Sequence, residues 1–475
     1  MSPEVERARA IVRESGGPEL WERLEALERS APGSPAPRPR PADRADFDVI
    51  IAGGGLSLLL APALARRGLK VAVLDRGRIG AVHREWNASR SELAPLIAEG
   101  IVDAAGLEAL IVAQYREGVC RWHGGGSYAV RGVLDVAIDA HGLLSRARAA
   151  AEAQGVVLLD HHLIEAEAGG AEAITVSVRG LGGAAFELSG KLLVDARGAR
   201  SPYAGADLVC PTVGGVLRGL DEGVGPDLLD PEVGDILATT EHVEEGRQHV
   251  WESFPGRAHE STVYLFYYAE AGQLPPQALS LLFARFFAQR PRFKRGDAAL
   301  LRPTFGFIPG WSRLVSAPRP SERRVALFGD AAARHSPLTY CGFGSLLRSF
   351  GPFADAIQAL LEGPPGSLAQ PLRGLLEDEA IHLGTGALSA MMSRPSRDPA
   401  AMNALLDAAF HSLSELGQEP FRALLQDQMP LPAFLEFLRR TARKRPQVYR
   451  EVLGLLGARR ALRWGFNVAS SLVHV

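Results

Sequence analysis

The feature of this sequence that most limits its fold is a glycine turn between two short apolar segments. The segment FDVIIA leads into Gly53, Gly54 and Gly55, the helical pattern SLLLAPALARRG follows, and the apolar segment KVAVLD comes next. Because consecutive parallel strands need a helical crossover, this order predicts a Rossmann βαβ unit. Glycines let the backbone turn tightly and approach a pyrophosphate, whose charge the first amides of the helix meet. The turn therefore predicts dinucleotide binding.

Two further residues of the βαβ unit bear on this prediction. Asp75 ends the second strand 22 positions after Gly53, where an acid that binds the ribose belongs. Leu58 holds the position of the third glycine of the usual fingerprint, so we expect Ser57 to be the small residue that lets the helix pack closely. An ordinary tight βα turn without a ligand is the alternative, and the correct strand, helix and acid make it the weaker interpretation.

Composition argues against a nucleic-acid-binding protein, a disulfide-rich protein and a metal-binding protein. A chain of 475 residues with 47% hydrophobic residues predicts two closely packed domains with appendages, and a formal net charge of -2 gives no reason to expect a nucleic-acid partner. Cys120, Cys210 and Cys341 are far apart in the sequence, which predicts neither a disulfide framework nor a metal site. His161 and His162 are adjacent and would point to opposite faces of a strand, so we expect no metal there either. A charged N-terminal segment without a long apolar run predicts a cytoplasmic protein.

The pattern along the chain predicts an α/β fold. It has a Rossmann-like domain, an inserted and mainly antiparallel β domain for the substrate, and a C-terminal helical region. The predicted ranges are an N-terminal helical appendage (1–30), a Pro-rich linker (31–45), the first part of the dinucleotide domain (46–200), the β-rich substrate domain (201–310), the second part of the dinucleotide domain (311–365) and the helical region (366–475).

Two later motifs make the dinucleotide site more specific. The segment LLVDARGARSPYA, with Asp195, Gly198 and Ser201, resembles the DxxGxxS signature of the para-hydroxybenzoate hydroxylase and lycopene cyclase superfamily. The segment VALFGDAAARHSPLTYCGFGSLL resembles the second FAD motif of the same superfamily. The resemblance implies FAD as the cofactor. Three motifs in the right order make chance a poor explanation.

The residues of the last motif have separate expected roles. Gly329 and Asp330 follow a buried strand, where the Asp330 carboxylate can accept from ribityl hydroxyls. The turn through Pro337 and the start of the next helix at Gly342, Phe343 and Gly344 are expected to bring helix amides to the flavin pyrimidine.

Three segments resemble a narrower group, the CruA/CruP-type lycopene cyclases. They are REWNASR (84–90), WESFPG (251–256) and HSPLTYCGFGSLLRSF, within a match that runs from about Phe47 into the C-terminal helices. This resemblance implies a carotenoid cyclase that acts on a hydrophobic polyene or isoprenoid with reduced FAD, and NAD(P)H is a candidate external reductant. It also implies that Arg90 and Asn87 line the flavin, with a solvated charged turn as an equally weighted alternative.

Glu252 is the residue that we expect to be the catalytic acid. The resemblance puts a cyclase glutamate at this point, and Val250, Trp251 and Phe254 surround it in the sequence. Burial beside apolar groups raises the pKa of a carboxyl group, so that it keeps its proton near neutral pH. The alternative is a glutamate on the exposed face of the strand, since neighbouring side chains alternate.

The same FAD motifs occur in enzymes with other chemistries, so two rival functions remain. One is a redox enzyme, either a flavin monooxygenase or a polyprenyl reductase. The other is a flavoprotein that binds a pigment without changing it.

The segment Ala433 to Arg463 combines apolar and basic residues at helical spacing. This composition is typical of helices on an anionic bilayer, and a solvated face of a helical bundle is the alternative of nearly equal weight. The apolar set is Phe434, Phe437, Leu438, Val448, Val452, Leu455 and Leu456, and the basic set includes Arg439, Arg440, Arg443, Lys444, Arg445, Arg459 and Arg460.

Overall fold

The computed structural model describes residues 2–29, 39–40, 42, 44–82, 85–183, 185–203, 206–315, 324–332, 338–339, 342–364, 368, 382–394 and 398–473. The helices are α1 (Pro3–Gly16), α2 (Pro18–Arg29), α3 (Leu60–Arg66), α4 (Ala94–Ala98), α5 (Ala104–Glu108), α6 (Ala140–Ala153), α7 (Ala278–Phe293), α8 (Gly342–Glu362), α9 (His382–Met392), α10 (Ala401–Leu416), α11 (Gln418–Leu425), α12 (Leu431–Lys444), α13 (Val448–Leu456) and α14 (Ala458–Val473).

The strands are β1 (Phe47–Ala52), β2 (Val71–Asp75), β3 (Glu85–Ala88), β4 (Ile111–Gln114), β5 (Glu117–Arg121), β6 (Ser127–Val130), β7 (Val136–Asp139), β8 (Val157–Asp160), β9 (His162–Gly169), β10 (Ile174–Gly180), β11 (Ala185–Asp195), β12 (Leu208–Arg218), β13 (Val233–Ala238), β14 (His249–Pro255), β15 (Glu260–Tyr267), β16 (Ala269–Glu270), β17 (Ala299–Gly310) and β18 (Val325–Leu327). They form sheets of seven, eight and three strands.

The first sheet contains the predicted Rossmann unit. Its parallel part has the order β8, β2, β1, β11 and β18, and the hairpin of β9 and β10 extends the other half of β11 in the antiparallel sense. Val49, Ile50 and Ile51 of β1 are fully buried because helices and strands cover both faces of a parallel sheet. The predicted order of strand, glycine turn, helix and parallel strand is confirmed.

The second sheet is mainly antiparallel, as predicted for the substrate domain. Its order is β17, β12, β15, β14, β13, β5 and β6, with β16 beside one end of β12, and only β13 and β5 pair in parallel. Strands β5 and β6 thus lie in this sheet, although the sequence prediction puts residues 117–130 in the first part of the dinucleotide domain. No local pattern distinguishes them, because their partners are remote in the chain. The other predicted domain ranges stay predictions.

The two N-terminal helices pack onto the second sheet, whereas the sequence predicts a separate appendage. Val5, Val12, Trp21 and Leu24 are buried in one cluster with the side chains of α7 and of the face of the sheet that α7 covers. The Trp21 ring lies 6.5 Å from the ring of Phe283 in α7. The apolar spacing that predicts these helices also forms their buried stripe, but the sequence does not say which surface receives it.

The C-terminal helices cover the opposite face of the second sheet. Phe434 and Phe437 of α12 are buried there with Phe410, Phe421 and Phe266. None of the helices within the described residues is long and apolar enough to cross a membrane.

Candidate active site

The glycine turn lies at the carboxyl ends of the parallel strands. Gly53 has a φ of 122°, and a Cβ on it would lie 2.5 Å from the carbonyl oxygen of Ala196. A Cβ on Gly55 would meet no atom within 4 Å, so open space lies against this residue. Among the described residues, no side chain caps the short helix that begins at Leu56. A turn that presents bare backbone to open space, followed by uncapped helix amides, fits a pyrophosphate group.

Asp75 and Ser57 both bond to this turn. The Asp75 carboxylate accepts hydrogen bonds from the amides of Gly54 and Gly77, each at 2.7 Å. The Ser57 hydroxyl donates to the carbonyl of Gly53 at 2.7 Å and is buried, as expected of a small residue that packs against the turn. Each carboxylate oxygen keeps acceptor capacity beyond one amide, so Asp75 fits the expected ribose contact.

In the second motif, the polar side chains bond to one another. Asp195 is fully buried at the end of β11, and its carboxylate accepts from the Ser201 hydroxyl at 2.7 Å and from the Arg197 guanidinium at 2.8 Å. Arg197 also pairs with Glu167 at 3.1 Å. Asp195 thus holds the turn that carries Gly198, and its carboxylate is already occupied by protein donors.

The second and third motifs meet across the turn. Asp195 pairs in register with Leu327, and a Cβ on Gly198 would lie 3.7 Å from the Cβ of Asp330. Gly329 has a φ of 60°, which glycine adopts without strain, and the exposed Asp330 follows it in a 3-10 turn. Five predicted residues, Gly53, Gly54, Gly55, Asp75 and Asp330, therefore surround the same sheet edge. Pro337 lies outside the described residues.

Helix α8 begins at the predicted Gly342, Phe343 and Gly344. A Cβ on Gly344 would lie 2.5 Å from the carboxylate of Glu92, which also receives the guanidinium of Arg348. Glu92 accepts from the Ser89 amide at 2.9 Å and so closes a capping box. Packing against Glu92 therefore explains why residue 344 is a glycine. Contact of Gly342, Phe343 and Gly344 with a cofactor stays a prediction.

The segment REWNASR divides between two environments. The exposed Arg90 pairs with Glu108, and its amide donates to Asp135 at 2.7 Å, which is what the charged-turn alternative predicts. Trp86 and Asn87 of β3 contact other parts of the protein on opposite faces of that strand. Trp86 packs against Phe343 with 5.1 Å between the ring centres, and the Asn87 amide donates to the Tyr115 hydroxyl at 3.0 Å. Arg90 thus has protein partners in this structure, and its contact with the flavin stays a prediction.

Through these two residues, β3 connects the third motif to the strand of Glu252. The Tyr115 hydroxyl, which receives Asn87, donates to the carbonyl of Pro255 at the end of β14. The Tyr115 ring also contacts Phe254, with 6.1 Å between ring centres. A continuous line of contacts thus runs from Phe343 through β3 and Tyr115 to the strand that carries the candidate acid.

Glu252 lies on the face of the sheet that is turned away from α7. Trp251 stacks on Phe293 of α7 at 5.1 Å, so the next residue points to the opposite face with Val250 and Phe254. The side chain of Glu252 is partly exposed, and within the described part of the chain its carboxyl forms neither an ion pair nor a hydrogen bond. Burial raises its pKa from 4.5 to about 8. The sequence left open whether Glu252 points to the inner or the exposed face of its strand, and in the structure it points to the inner face.

Two residues of this arrangement were not identified from the sequence. Tyr115 lies between two short strands, and no motif surrounds it. Tyr264 is directly opposite Glu252 on β15 and belongs to the same face. Only the pairing of remote strands brings these residues to Glu252, so no local signal could have found them.

No protein-family model and no curated protein matches the sequence. Solved structures match the fold. A geranylgeranyl bacteriochlorophyll reductase-like protein from Thermoplasma acidophilum has 15% identity and a TM-score of 0.60, over 86% of this chain and 99% of that one. Halogenase PltM in complex with phloroglucinol and FAD has 15% identity and a TM-score of 0.58, over 90% and 94%.

A flavoprotein/dehydrogenase from Cytophaga hutchinsonii has 14% identity and a TM-score of 0.54, over 88% of this chain and 99% of that one. At such low identity the likeness concerns the fold alone. The chain shares with these proteins a Rossmann-like fold that has a second, mainly antiparallel sheet.

Proposed function

We propose that this protein is an FAD-dependent enzyme that cyclises a linear polyene of the lycopene class. The observation that carries the proposal is Glu252, a carboxyl group without a partner in the described structure, whose pKa burial raises to about 8. Such a group keeps its proton at neutral pH and can transfer it to an alkene. The resemblance of three segments to CruA/CruP-type cyclases supports the substrate class.

The residues at the sheet edge fit FAD. The bare backbone at Gly55 suits the pyrophosphate, Asp75 suits a ribose, and the exposed Asp330 suits the ribityl chain. A bound, reduced flavin would supply negative charge that stabilises a cation. The solved complex of halogenase PltM with FAD, a protein of the same fold, supports this choice of cofactor.

Glu252 performs the first step of the proposed reaction. Its carboxyl proton adds to one carbon of a terminal double bond, and the positive charge forms on the more substituted carbon. The electron pair of a neighbouring double bond then forms the ring bond, and loss of a proton from the substrate restores an alkene. One proton enters and one leaves, so the product is an isomer and no electrons are consumed. The apolar side chains Val250 and Phe254 keep water from competing for the cation.

The test uses the Glu252→Gln variant in a lycopene-accumulating bacterial host. Glutamine keeps the shape and lacks the acidic proton, so we expect full FAD occupancy with cyclised pigment reduced by at least about a hundredfold. Glu260→Gln in the adjacent strand is the matched control for folding, because that carboxylate is paired with Arg302 and Arg218. Cyclisation by Glu252→Gln at the wild-type rate would refute the assignment, and loss of FAD would make Glu252 structural.

A second candidate is a reductase of isoprenoid double bonds. The likeness to the geranylgeranyl bacteriochlorophyll reductase-like protein favours it, and a reductase also needs a proton donor such as Glu252. Its product would gain two hydrogen atoms and consume stoichiometric NAD(P)H, whereas a cyclase product keeps the substrate mass. Mass spectrometry of the product therefore separates the two. Unchanged pigment bound to the folded flavoprotein would favour a binding function instead.

A further inference from the structure

The outer faces of the last two helices carry large apolar side chains in contact with solvent. Four of them define what we name the C-terminal apolar face: Tyr449 and Leu453 of α13, and Leu462 and Phe466 of α14. They are 72%, 53%, 75% and 71% exposed. We propose that this face binds the surface of an anionic lipid bilayer. The inference does not depend on the proposed cyclisation.

The exposure is not needed to hold these helices in place. Each helix already packs a separate apolar stripe against the core, formed by Val452, Leu455 and Leu456 in α13 and by Trp464 and Val468 in α14. The residues of the C-terminal apolar face are spaced by four positions within each helix, so each pair forms one outward stripe. In α14 the exposed stripe lies opposite the packed one, and in α13 it adjoins the packed one, so both helices present apolar surface beyond what their packing uses.

The charge around this face is positive. From Pro446 to the C-terminus the sequence has four arginines and one acidic residue, Glu451. Glu451 pairs with Arg445 at 2.6 Å, and Glu270 of the second sheet pairs inward with Arg460 at 2.7 Å. The arginines Arg450 and Arg459 are exposed. Anionic headgroups attract such arginines while the apolar side chains enter the acyl boundary.

A neighbouring loop continues the face. The Arg463 guanidinium donates to the carbonyl of Val315 at 3.1 Å, and the Val315 side chain is itself exposed. The Asn467 amide donates to the carbonyl of Arg313 at 3.3 Å. The face is therefore wider than a single helix, as a contact with a flat surface requires.

The charge also decides between a bilayer and a second copy of the chain. A two-fold dimer brings the same face of two copies together, so the arginines of one copy would lie near those of the other. A bilayer with anionic headgroups has the opposite charge. The sequence prediction for a bilayer contact covers Ala433 to Arg463, and its α12 part is already engaged within the protein: Phe434 and Phe437 are buried, and Arg439 and Arg440 both bond to Glu436.

The test is co-sedimentation of the full chain with phosphatidylcholine vesicles, with and without phosphatidylglycerol. We expect binding to the anionic vesicles that weakens with salt. The double variant Leu462→Glu with Phe466→Glu should lower the partition coefficient by about tenfold or more. Leu181→Glu with Val224→Glu is the matched control, because it removes two exposed apolar side chains elsewhere and adds the same charge. This control should bind like the wild type.

A second pair of variants tests the arginines. Arg450→Gln with Arg459→Gln should weaken binding by about tenfold and reduce its salt dependence. The proposal is overturned if the wild type does not bind anionic vesicles. It is also overturned if the Leu181→Glu, Val224→Glu control loses as much binding as the Leu462→Glu, Phe466→Glu variant. A third outcome would also overturn it. In that outcome light scattering shows that the wild type is a dimer and that the Leu462→Glu, Phe466→Glu variant is a monomer, and vesicle binding is absent. Glu252→Gln should bind vesicles normally, which separates this result from the cyclase test.

Discussion

Glu252 and Asp330 are carboxyl groups with opposite surroundings. Glu252 lies among apolar side chains on an inner face of a sheet, and burial raises its pKa to about 8. Asp330 is exposed at the end of a strand, beside the turn that carries Gly198. The first surroundings suit a proton donor, and the second suit an acceptor for hydroxyl groups. Both residues can be selected from the sequence, but only the structure shows these surroundings.

The raised pKa of Glu252 predicts a dependence of stability on pH. Between pH 4.5 and about 8 the folded protein keeps a proton that the unfolded chain has lost, so stability falls as the pH rises through this window. The loss is on the order of a few kcal/mol in the free energy of unfolding. Glu252→Gln cannot ionise and should lose less stability than the wild type between pH 5 and pH 8.5. Urea unfolding at both pH values checks this, and an equal loss of unfolding free energy in the two proteins would contradict it.

The same pKa sets the expected pH dependence of activity. In the proposed cyclisation the protonated form of Glu252 is the active one, so the rate of product formation, measured against pH, should be constant at neutral pH and decline as the pH rises through about 8.

Asp330→Ala should cost the protein its flavin. The carboxylate is expected to accept from the ribityl chain, and alanine removes the acceptor without enlarging the side chain. Flavin released from the purified variant is measured by absorbance against protein concentration. Glu187→Ala, which removes an exposed carboxylate on β11, should keep full occupancy. Full occupancy in Asp330→Ala would show that the ribityl contact lies elsewhere.

At the scale of elements, short segments meet at positions where a side chain would not fit. Gly53 lies against the carbonyl of Ala196, and Gly344 lies against the carboxylate of Glu92. The first contact follows from the Rossmann turn and is expected from the sequence. The second joins α8 to the capping box of Ser89 and Glu92, which the sequence does not indicate, and the flavin contact expected at Gly344 stays a prediction.

Gly344→Ala should destabilise the start of α8. The new Cβ would lie 2.5 Å from a Glu92 oxygen, and moving this buried carboxylate disturbs its bonds to the Ser89 amide and to Arg348. We expect a loss of about 1–3 kcal/mol in the free energy of unfolding. Gly465→Ala in α14 is the control, since its Cβ meets no atom within 4 Å, and it should gain up to about 1 kcal/mol. Equal effects in both variants would contradict the packing argument.

At the scale of the whole molecule, the second sheet is covered on both faces. Helices α1, α2 and α7 cover one face, and the C-terminal helices cover the face that carries Glu252. Burial of the candidate acid on that face raises its pKa. The N-terminal helices stabilise the other side of the same sheet.

Trp21→Ala tests whether the N-terminal helices belong to the main folding unit. The indole is fully buried and contacts Phe283, so its removal should lower the free energy of unfolding of the main transition by about 3–5 kcal/mol. Glu22→Ala, an exposed neighbour, should have little effect. An unchanged main transition in Trp21→Ala, measured by calorimetry, would mean that the helices unfold independently.

The sequence by itself determined the local elements and their chemistry. The glycine turn, the strand ending at Asp75 and the motifs at Asp195 and Asp330 are read from neighbouring residues, because strand period, turn chemistry and helix starts depend on short-range sterics and hydrogen bonds. The tertiary structure alone decided the inward face of Glu252, the surface beneath Trp21 and the link through Tyr115. Each of these depends on which remote strands and helices pack together, and the hydrophobic effect that drives such packing is not directional.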